Sequence, residues 1–337
     1  MGLTYADASS SRGKATLDRD VIAGRFVELV PGRGAGGRAL RTRSSLALAF
    51  ALFLMACAPS PTPSPTAEPT PAAFVADIAV EGERTLHIVC SGPADTGRPT
   101  VVFENGGGPP LSTWSAQVEE IRATHRACAY DRAGIGMSDA APGPRTTRDQ
   151  VNDLATLLEA AGVTGPIVLV AHSLGGWNAI VYTAGHPDQV VGAVLVDILP
   201  PGLEGRWLEE LPAETPDEPE AIRQAREIFA SFLTDPSMNP EGIHIADSVE
   251  QVLAAPGFGD RPTEIIWATA SQATVWPDFP PDLAARLNAA LEDLRRDVEA
   301  LADDPKVTRV DTDHNIHEER PDVVNAAIRR VLDHFER

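Results

Sequence analysis

Short apolar runs alternate with stretches of helical periodicity from Phe74 to the end of the chain. The apolar runs, rich in Val and Ile, predict eight strands at residues 75–80, 85–89, 100–103, 127–130, 167–170, 191–196, 264–268 and 306–310. The helical spacing between them predicts helices at 112–123, 147–161, 177–185, 281–302 and 321–335. Strands come first and then alternate with helices. This order predicts an α/β fold, a mostly parallel eight-stranded sheet with helices on both faces.

The first 56 residues have the pattern of a secretory leader. Three arginines precede a uniformly apolar run, 46–56, which is too short to span a bilayer as a helix and predicts a signal peptide. The junction Leu54-Met55-Ala56-Cys57 resembles a bacterial lipobox, so we expect export with a lipid on Cys57. The alternative is an ordinary signal peptide with an incidental cysteine. Residues 1 to about 37 make an unusually long leader, which a translation start further along would explain.

A linker rich in proline, serine and threonine follows at residues 57–73, with six prolines among residues 58–73. Such a stretch stays extended and solvated instead of packing into a core. We therefore expect it to hold a globular domain, residues 74–337, away from a membrane surface.

Charge and cysteine content narrow the functional classes. Without residues 1–56, 20 Lys and Arg remain against 44 Asp and Glu, a net charge near −24. This charge argues against binding to nucleic acid and against attraction to anionic membranes, so we expect membrane contact through the lipid anchor only. Cys90 and Cys128 are the cysteines of the domain. In an oxidising exported environment such an even pair is a candidate disulfide.

The stretch Ile167 to Trp177 predicts a nucleophile elbow. Four apolar residues form a strand, and Gly175-Gly176 then let the chain turn sharply into a helix. Ser173 lies at the centre of this strand-turn-helix pattern, where its oxygen is exposed at the edge of the sheet. The usual motif is Gly-x-Ser-x-Gly, and Ala171 takes the first position here. Alanine still permits a tight approach of strand and helix.

Four motifs in this order resemble the α/β-hydrolase fold family across nearly the whole domain. They are Phe103-Glu104-Asn105-Gly106-Gly107-Gly108, Tyr130-Asp131-Arg132-Ala133-Gly134-Ile135-Gly136-Met137-Ser138, the Ser173 elbow, and Asp313-His314-Asn315-Ile316-His317. In that family the first is an oxyanion turn, with Asn105 where histidine is common. The second corresponds to an Asp-x-x-Gly-x-Gly-x-Ser loop, in which we expect Asp131 and Arg132 to hold loops together without a chemical role.

The resemblance implies a pairing for the cysteines. In this fold the second strand runs antiparallel beside the fourth, so Cys90 at the end of one lies near Cys128 at the start of the other. A disulfide there contributes roughly 3 to 4 kcal/mol in the loop-entropy model. The alternative is two buried free thiols.

The resemblance also implies a helical lid in the long connection 199–262 after the sixth strand. Residues 219–233 have helical spacing, with Ile222, Ala225, Ile228, Phe229 and Phe232 on one face. A lid would lay that face over Ser173. The alternative is a surface connection that packs away from the site.

The family's triad order is serine, acid, histidine. Serine needs a base held in the right tautomer by a third group, and His314, after the last strand, is the candidate base. The acid usually follows the seventh strand, where residues 269–274 contain no carboxylate. Asp197, directly after the sixth strand, is favoured over the later Asp278.

The resemblance assigns the oxyanion donors to the backbone N–H groups of Gly107 and Leu174. We expect His172 to pack beside the elbow and His317 to make a loop hydrogen bond. A structural or surface role is expected for the remaining histidines, His87, His125, His186, His244 and His334.

No Cys/His cluster has metal-ligand spacing and no glycine-rich turn matches a phosphate or dinucleotide fingerprint, so we expect no metal and no cofactor. A serine nucleophile also argues against haloalkane dehalogenase and epoxide hydrolase chemistry. The sequence thus predicts an exported serine hydrolase acting on a small-molecule carboxylic ester or related acyl bond. Alternatives are a peptidase or amidase, a thioesterase, a cofactor-free haloperoxidase, and a non-catalytic binding lipoprotein of the same fold.

Overall fold

Eight strands form the central sheet of the computed structural model, which describes residues 73–94, 97–270 and 279–335. Each lies within two residues of its predicted bounds. They are β1 (Phe74–Ala79), β2 (Thr85–Ser91), β3 (Thr100–Glu104), β4 (Ala127–Tyr130), β5 (Ile167–His172), β6 (Val190–Val196), β7 (Thr263–Ala268) and β8 (Lys306–Val310). The expectations for the leader, for Cys57 and for the linker up to residue 72 lie outside the described residues.

The described ranges contain nine α-helices. They are α1 (Ser115–Ile121), α2 (Thr147–Ala160), α3 (Gly175–Gly185), α4 (Leu203–Glu210), α5 (Glu220–Thr234), α6 (Ile245–Leu253), α7 (Pro281–Glu299), α8 (Ile316–Glu319) and α9 (Pro321–Phe335). The sequence did not predict α4, α6 and α8. Each is shorter than ten residues, and periodicity over two turns gives a weak signal. None of the described helices is long and apolar enough to cross a membrane.

The strands are ordered β1-β2-β4-β3-β5-β6-β7-β8. β2 pairs antiparallel with β1 and with β4, and every pairing from β4 to β8 is parallel. Cys90 and Cys128 lie directly opposite each other in the β2/β4 register and form a disulfide. The prediction of this disulfide and of a mostly parallel sheet is confirmed.

Alternation along the strands builds one core on each face of the sheet, because successive side chains point to opposite faces. In β5, Ile167 and Leu169 join a cluster with α2 and α3, whereas Val168 and Val170 join a second cluster with α1 and α9. β5 is therefore buried on both faces along its whole length. This buried central strand ends at His172, directly before Ser173.

The connection between β6 and β7 contains α4, α5 and α6. The predicted helix at 219–233 is found as α5, and its residues Ile222, Ala225 and Phe229 pack with α4 and α7 in a third apolar cluster. Ile228 was expected on this buried face, but it is 41% exposed. Ile222, Ala225 and Phe229 contact the neighbouring helices, and position 228 lies at the margin of that contact, about 90° around the helix at 3.6 residues per turn. The predicted closure over Ser173 stays a prediction.

Candidate active site

Ser173 takes the strained position of the turn between β5 and α3. Its φ is 50°, in the left-handed region that costs a non-glycine residue about 1–2 kcal/mol. The carbonyl of Ser173 accepts hydrogen bonds from Gly176 (3.0 Å) and Leu199 (3.1 Å), which fix the turn. The side chain is half-buried, between a fully buried strand and a buried helix. This geometry matches the predicted elbow.

The glycines of the elbow serve close packing, and the sharp turn itself is made at Ser173. A Cβ on Gly175 would lie 2.3 Å from the carbonyl oxygen of Asn105 in the glycine turn after β3. A Cβ on Gly176 would lie 2.5 Å from Ile198, just after β6. Both glycines have helical φ within α3, so their role is to let two neighbouring segments approach the elbow.

His314 and Asp197 form a hydrogen-bonded pair at the carboxyl edge of the sheet. His314 Nδ1 lies 2.7 Å from Asp197 Oδ2, and a carboxylate acceptor there requires the proton on Nδ1. Nε2 is then unprotonated and free to act as a base. Asp197 is the first residue after β6 and also has a positive φ, 39°. The structure thus brings these two candidates together, whereas Asp278 lies outside the described residues.

Asp197 accepts hydrogen bonds from two further donors, neither of which was predicted from the sequence. Its Oδ1 accepts the backbone N–H of Ala268 (3.1 Å) and Nη2 of Arg295 (3.0 Å). Arg295 is buried on α7, where Leu283, Leu287 and Leu291 precede it at four-residue intervals on the same face. A cation at the next position of that apolar stripe was the available signal for a buried carboxylate partner.

Three imidazole rings pack against one another with tilted planes, and one of them belongs to His172, the residue before Ser173. The ring centroid of His172 lies 4.5 Å from that of His314 and 4.4 Å from that of His317, and the His317 ring lies 4.5 Å from that of Trp114. His172 Nε2 donates to the carbonyl oxygen of His314 (3.0 Å) and so supports the loop that carries the candidate base. His172 packs beside the elbow as expected. The loop hydrogen bond expected of His317 comes from its backbone oxygen, which accepts from Gln117 (2.7 Å).

His172 and His317 are neutral near pH 7. Burial lowers the pKa of His172 well below its usual value, and the neighbouring His314 lowers it further. Burial and His314 likewise lower the pKa of His317 to about 4. These two rings therefore contribute packing and neutral hydrogen bonding, not charge, to the surroundings of His314.

The glycine turn after β3 packs directly on the elbow. A Cβ on Gly106 would lie 3.3 Å from the Cβ of Ser173, and one on Gly107 would lie 3.5 Å from Cδ2 of Leu174. Within the described part of the chain, the N–H groups of Gly107 and Leu174 donate to no acceptor. Two unused donors thus lie on adjoining segments beside the serine, as an oxyanion hole requires.

Asp131 joins two loops near this turn, as predicted. Its Oδ1 accepts from the backbone of Leu111 (2.7 Å) and its Oδ2 from the backbone of Met137 (2.9 Å). In the described ranges, no group of three or more His, Cys, Asp or Glu side chains is arranged to hold a metal ion.

Comparisons with known proteins agree with this architecture. A family model described as "Alpha/beta hydrolase family" matches residues 101–327. An esterase from Thermogutta terrifontis superposes with a TM-score of 0.50 at 23% identity, over 78% of this chain and 98% of that one. At this identity the likeness shows the fold alone.

Curated relatives align over shorter segments. The uncharacterized protein YqjL of Bacillus subtilis is 37% identical over 98 residues, which are 29% of this chain and 39% of that protein. A putative carbamate hydrolase of Azorhizobium caulinodans is 31% identical over 97 residues, 29% of this chain and 36% of that protein. The chain therefore spans less than two thirds of the length of these relatives. The family model, by contrast, covers well over half of the chain, and so the chain belongs to the α/β-hydrolase family.

Proposed function

We propose that this protein is a serine hydrolase that cleaves a carboxylic ester or a related acyl bond through a covalent acyl-enzyme. Ser173 is the nucleophile, His314 the general base, and Asp197 the residue that orients the base. The observation that carries the proposal is the 2.7 Å contact between His314 Nδ1 and Asp197 Oδ2, because it leaves Nε2 of His314 unprotonated. The contact between the rings of His314 and His172, the residue before Ser173, supports the same assignment.

Acylation begins when Ser173 Oγ attacks the acyl carbon and His314 Nε2 takes its proton. The carbonyl oxygen becomes an oxyanion that receives the N–H groups of Gly107 and Leu174. Asp197 stabilises the imidazolium that forms and stays ionised. The intermediate then collapses, and the protonated His314 gives its proton to the departing alcohol or amine.

Deacylation repeats these steps with water as the nucleophile. His314 removes a proton from the water as it attacks the acyl carbon, and the second oxyanion uses the same two donors. Collapse returns the proton to Ser173 Oγ and releases the carboxylic acid. One water is consumed in each turnover, and no redox change occurs.

A fluorophosphonate probe tests the nucleophile directly. We expect stoichiometric labelling of the full-length chain, no labelling of Ser173→Ala, and labelling slowed at least about a hundredfold in His314→Ala. Ser115→Ala, at an exposed serine on α1, is the matched control and should label at the wild-type rate. Unchanged labelling of Ser173→Ala would rule the proposal out.

The acyl class is then defined by a substrate panel on the same protein. It contains acyl esters of increasing chain length, a thioester, an aminoacyl amide and a carbamate. The carbamate is included because one relative is called a putative carbamate hydrolase. We expect the highest kcat/KM for an ester. A higher value for the amide would point instead to a peptidase or amidase.

We also propose that the protein is exported and anchored through a lipid on Cys57, with the proline-rich linker as spacer. The support is the sequence alone: the arginines before residues 46–56 and the lipobox-like junction. Bacteria fed an alkyne-tagged fatty acid should label the wild-type protein but not Cys57→Ser. Equal labelling of the two proteins would refute the anchor.

A further inference from the structure

The side chain of Arg132, in the loop after β4, binds the backbone of the glycine turn. Its Nη1 donates to the carbonyl oxygen of Asn105 (2.6 Å) and its Nη2 to that of Gly106 (2.5 Å). The side chain is 3% exposed, so both contacts are shielded from water. The guanidinium thus holds two successive peptide groups of the segment that packs on Ser173.

These contacts determine where the next N–H points. In a trans peptide the N–H of one residue points opposite to the C=O of the residue before it. With the oxygen of Gly106 turned toward Arg132, the N–H of Gly107 points away from Arg132, and Gly107 lies on the Leu174 side of the turn. Glycines have little conformational preference of their own, so this peptide plane needs an external hold.

Glu241 fixes Arg132 in turn. It receives Nε (2.6 Å) and Nη2 (2.7 Å) of Arg132 in a bidentate pair, and it accepts the backbone N–H of Gly108 (3.0 Å). Gln150 donates to the same carboxylate at 2.6 Å. Glu241 belongs to the connection between β6 and β7, so this insertion holds both the arginine and the far end of the glycine turn.

A second carboxylate lies deeper in the same network. Glu104 Oε2 is 3.4 Å from Nη1 of Arg132, and Tyr130 and Asn178 donate to the Glu104 carboxylate. Burying such a charged group yields little stability compared with apolar packing of the same volume. The buried network instead fixes the orientation of the guanidinium, because a planar guanidinium with a bidentate partner cannot rotate without losing several hydrogen bonds.

We propose that Arg132, clamped by Glu241, is a positioning residue that orients the Gly106–Gly107 peptide so that the Gly107 N–H meets the oxyanion. This inference rests on the proposed function. It also assigns a part of the insertion to the alignment of the oxyanion hole. Within the described ranges no hydrogen bond joins Arg132 to Ser173, and the proposed role acts only through the backbone of the turn.

The test compares Arg132→Lys with Arg261→Lys in the full-length chain. Arg261 likewise donates to backbone carbonyls, of Val190 and Pro187, but it lies at the opposite end of β6 from the site. Each variant is titrated with a fluorophosphonate, so that kcat refers to active sites. Esters are compared with matched thionoesters, whose sulfur accepts hydrogen bonds weakly and gains little from an oxyanion hole.

Arg132→Lys should lower kcat for the ester about ten- to a hundredfold, below the loss for deleting a whole donor. KM should stay within about twofold, and the ester-to-thionoester ratio should fall with kcat. Arg261→Lys should change neither kcat nor the ratio. If Arg132 only supports folding, the fraction of protein that reacts with the fluorophosphonate falls, while kcat per site and the ester-to-thionoester ratio stay constant. That result would overturn the proposal.

Glu241→Gln provides a second variant if Arg132→Lys does not fold. It keeps the shape of the side chain but replaces one acceptor of the bidentate pair. The ester-to-thionoester ratio should again fall, by about three- to tenfold. An unchanged ratio in that variant would also overturn the inference. Failure of the proposed function would be seen separately, as a wild-type protein that the fluorophosphonate does not label at Ser173, and it would overturn both.

Discussion

Replacement of Asp197 by asparagine is expected to put the proton of His314 on the wrong nitrogen. Two donors, Ala268 N–H and Arg295 Nη2, point at Oδ1 of Asp197, while Oδ2 faces His314 Nδ1. An asparagine has one oxygen, and that oxygen will take the Oδ1 position to satisfy both donors. Its NH2 group then faces Nδ1 of His314, which must accept, so the ring proton moves to Nε2.

The opposite rotamer would turn the NH2 group toward an N–H and a buried guanidinium. Each of these two buried donors left without an acceptor costs about 1–3 kcal/mol, so the inactive tautomer is favoured by at least about 2 kcal/mol. Loss of the correct tautomer lowers kcat about 10⁴-fold in serine proteases, and we expect 10³- to 10⁴-fold here. KM should stay unchanged, because Asp197 faces His314, Ala268 and Arg295, and none of these contacts involves the substrate.

The assay is steady-state ester hydrolysis per titrated site, with urea unfolding as the check on folding. Asp197→Asn should unfold about 1–3 kcal/mol more easily, because Arg295 loses its charged partner there. Asp278→Asn is the matched control and should keep kcat within about twofold. A loss below tenfold for Asp197→Asn, or a larger loss for Asp278→Asn, would refute the assignment of the acid.

Three further predictions concern stability and packing. Replacement of both Cys90 and Cys128 by alanine should lower the free energy of unfolding by about 4 kcal/mol, because the disulfide closes a loop of 38 positions; a change below about 1 kcal/mol in urea denaturation would contradict this. His317 has its pKa lowered to about 4 in the folded protein, against about 6.5 in the unfolded chain, so the unfolded state binds more protons between these values. This group should therefore lower the free energy of unfolding by up to about 3 kcal/mol as the pH drops from 6.5 to 4. In His317→Gln the free energy of unfolding should depend less steeply on pH over this range. An equally steep dependence in the variant and the wild type would argue against the buried neutral ring. Gly175→Ala would place a Cβ 2.3 Å from a backbone oxygen, so it should lower the free energy of unfolding by at least about 1–3 kcal/mol and remove most of the activity. Gly165→Ala, where a Cβ meets nothing within 4 Å, should be neutral when both variants are compared by thermal melts and activity assays.

The local patterns were sufficient to predict the sheet and the elbow. The β5 run is apolar and β-branched throughout because it is buried on both faces, so the strand and the turn at Ser173 could be recognised from consecutive residues. The disulfide was predicted from the strand order that the family resemblance implies, and the β2/β4 register places Cys90 opposite Cys128 accordingly. Such features depend on neighbours in sequence or on the order of elements.

Other parts of the site depend on contacts that no local pattern encodes. Asp197 and His314 are 117 positions apart, and the sequence alone left Asp278 as an alternative acid. Glu241 meets Arg132 across 109 positions, from a connection whose charged residues resemble those of any solvated loop. Ile228 fitted the periodicity of α5 but is exposed, because the width of a buried face depends on which helices pack against it.

In the proposed mechanism, Ser173 carries the acyl group between two half-reactions. The most direct test is to mix the full-length protein with a chromogenic ester, follow product release in the first turnover, and quench for peptide mass spectrometry. We expect a burst approaching one equivalent per titrated site and an acyl mass on the peptide that contains Ser173, with both signals lost in Ser173→Ala. A linear time course with no covalent adduct, or an acyl mass on a different peptide, would contradict it.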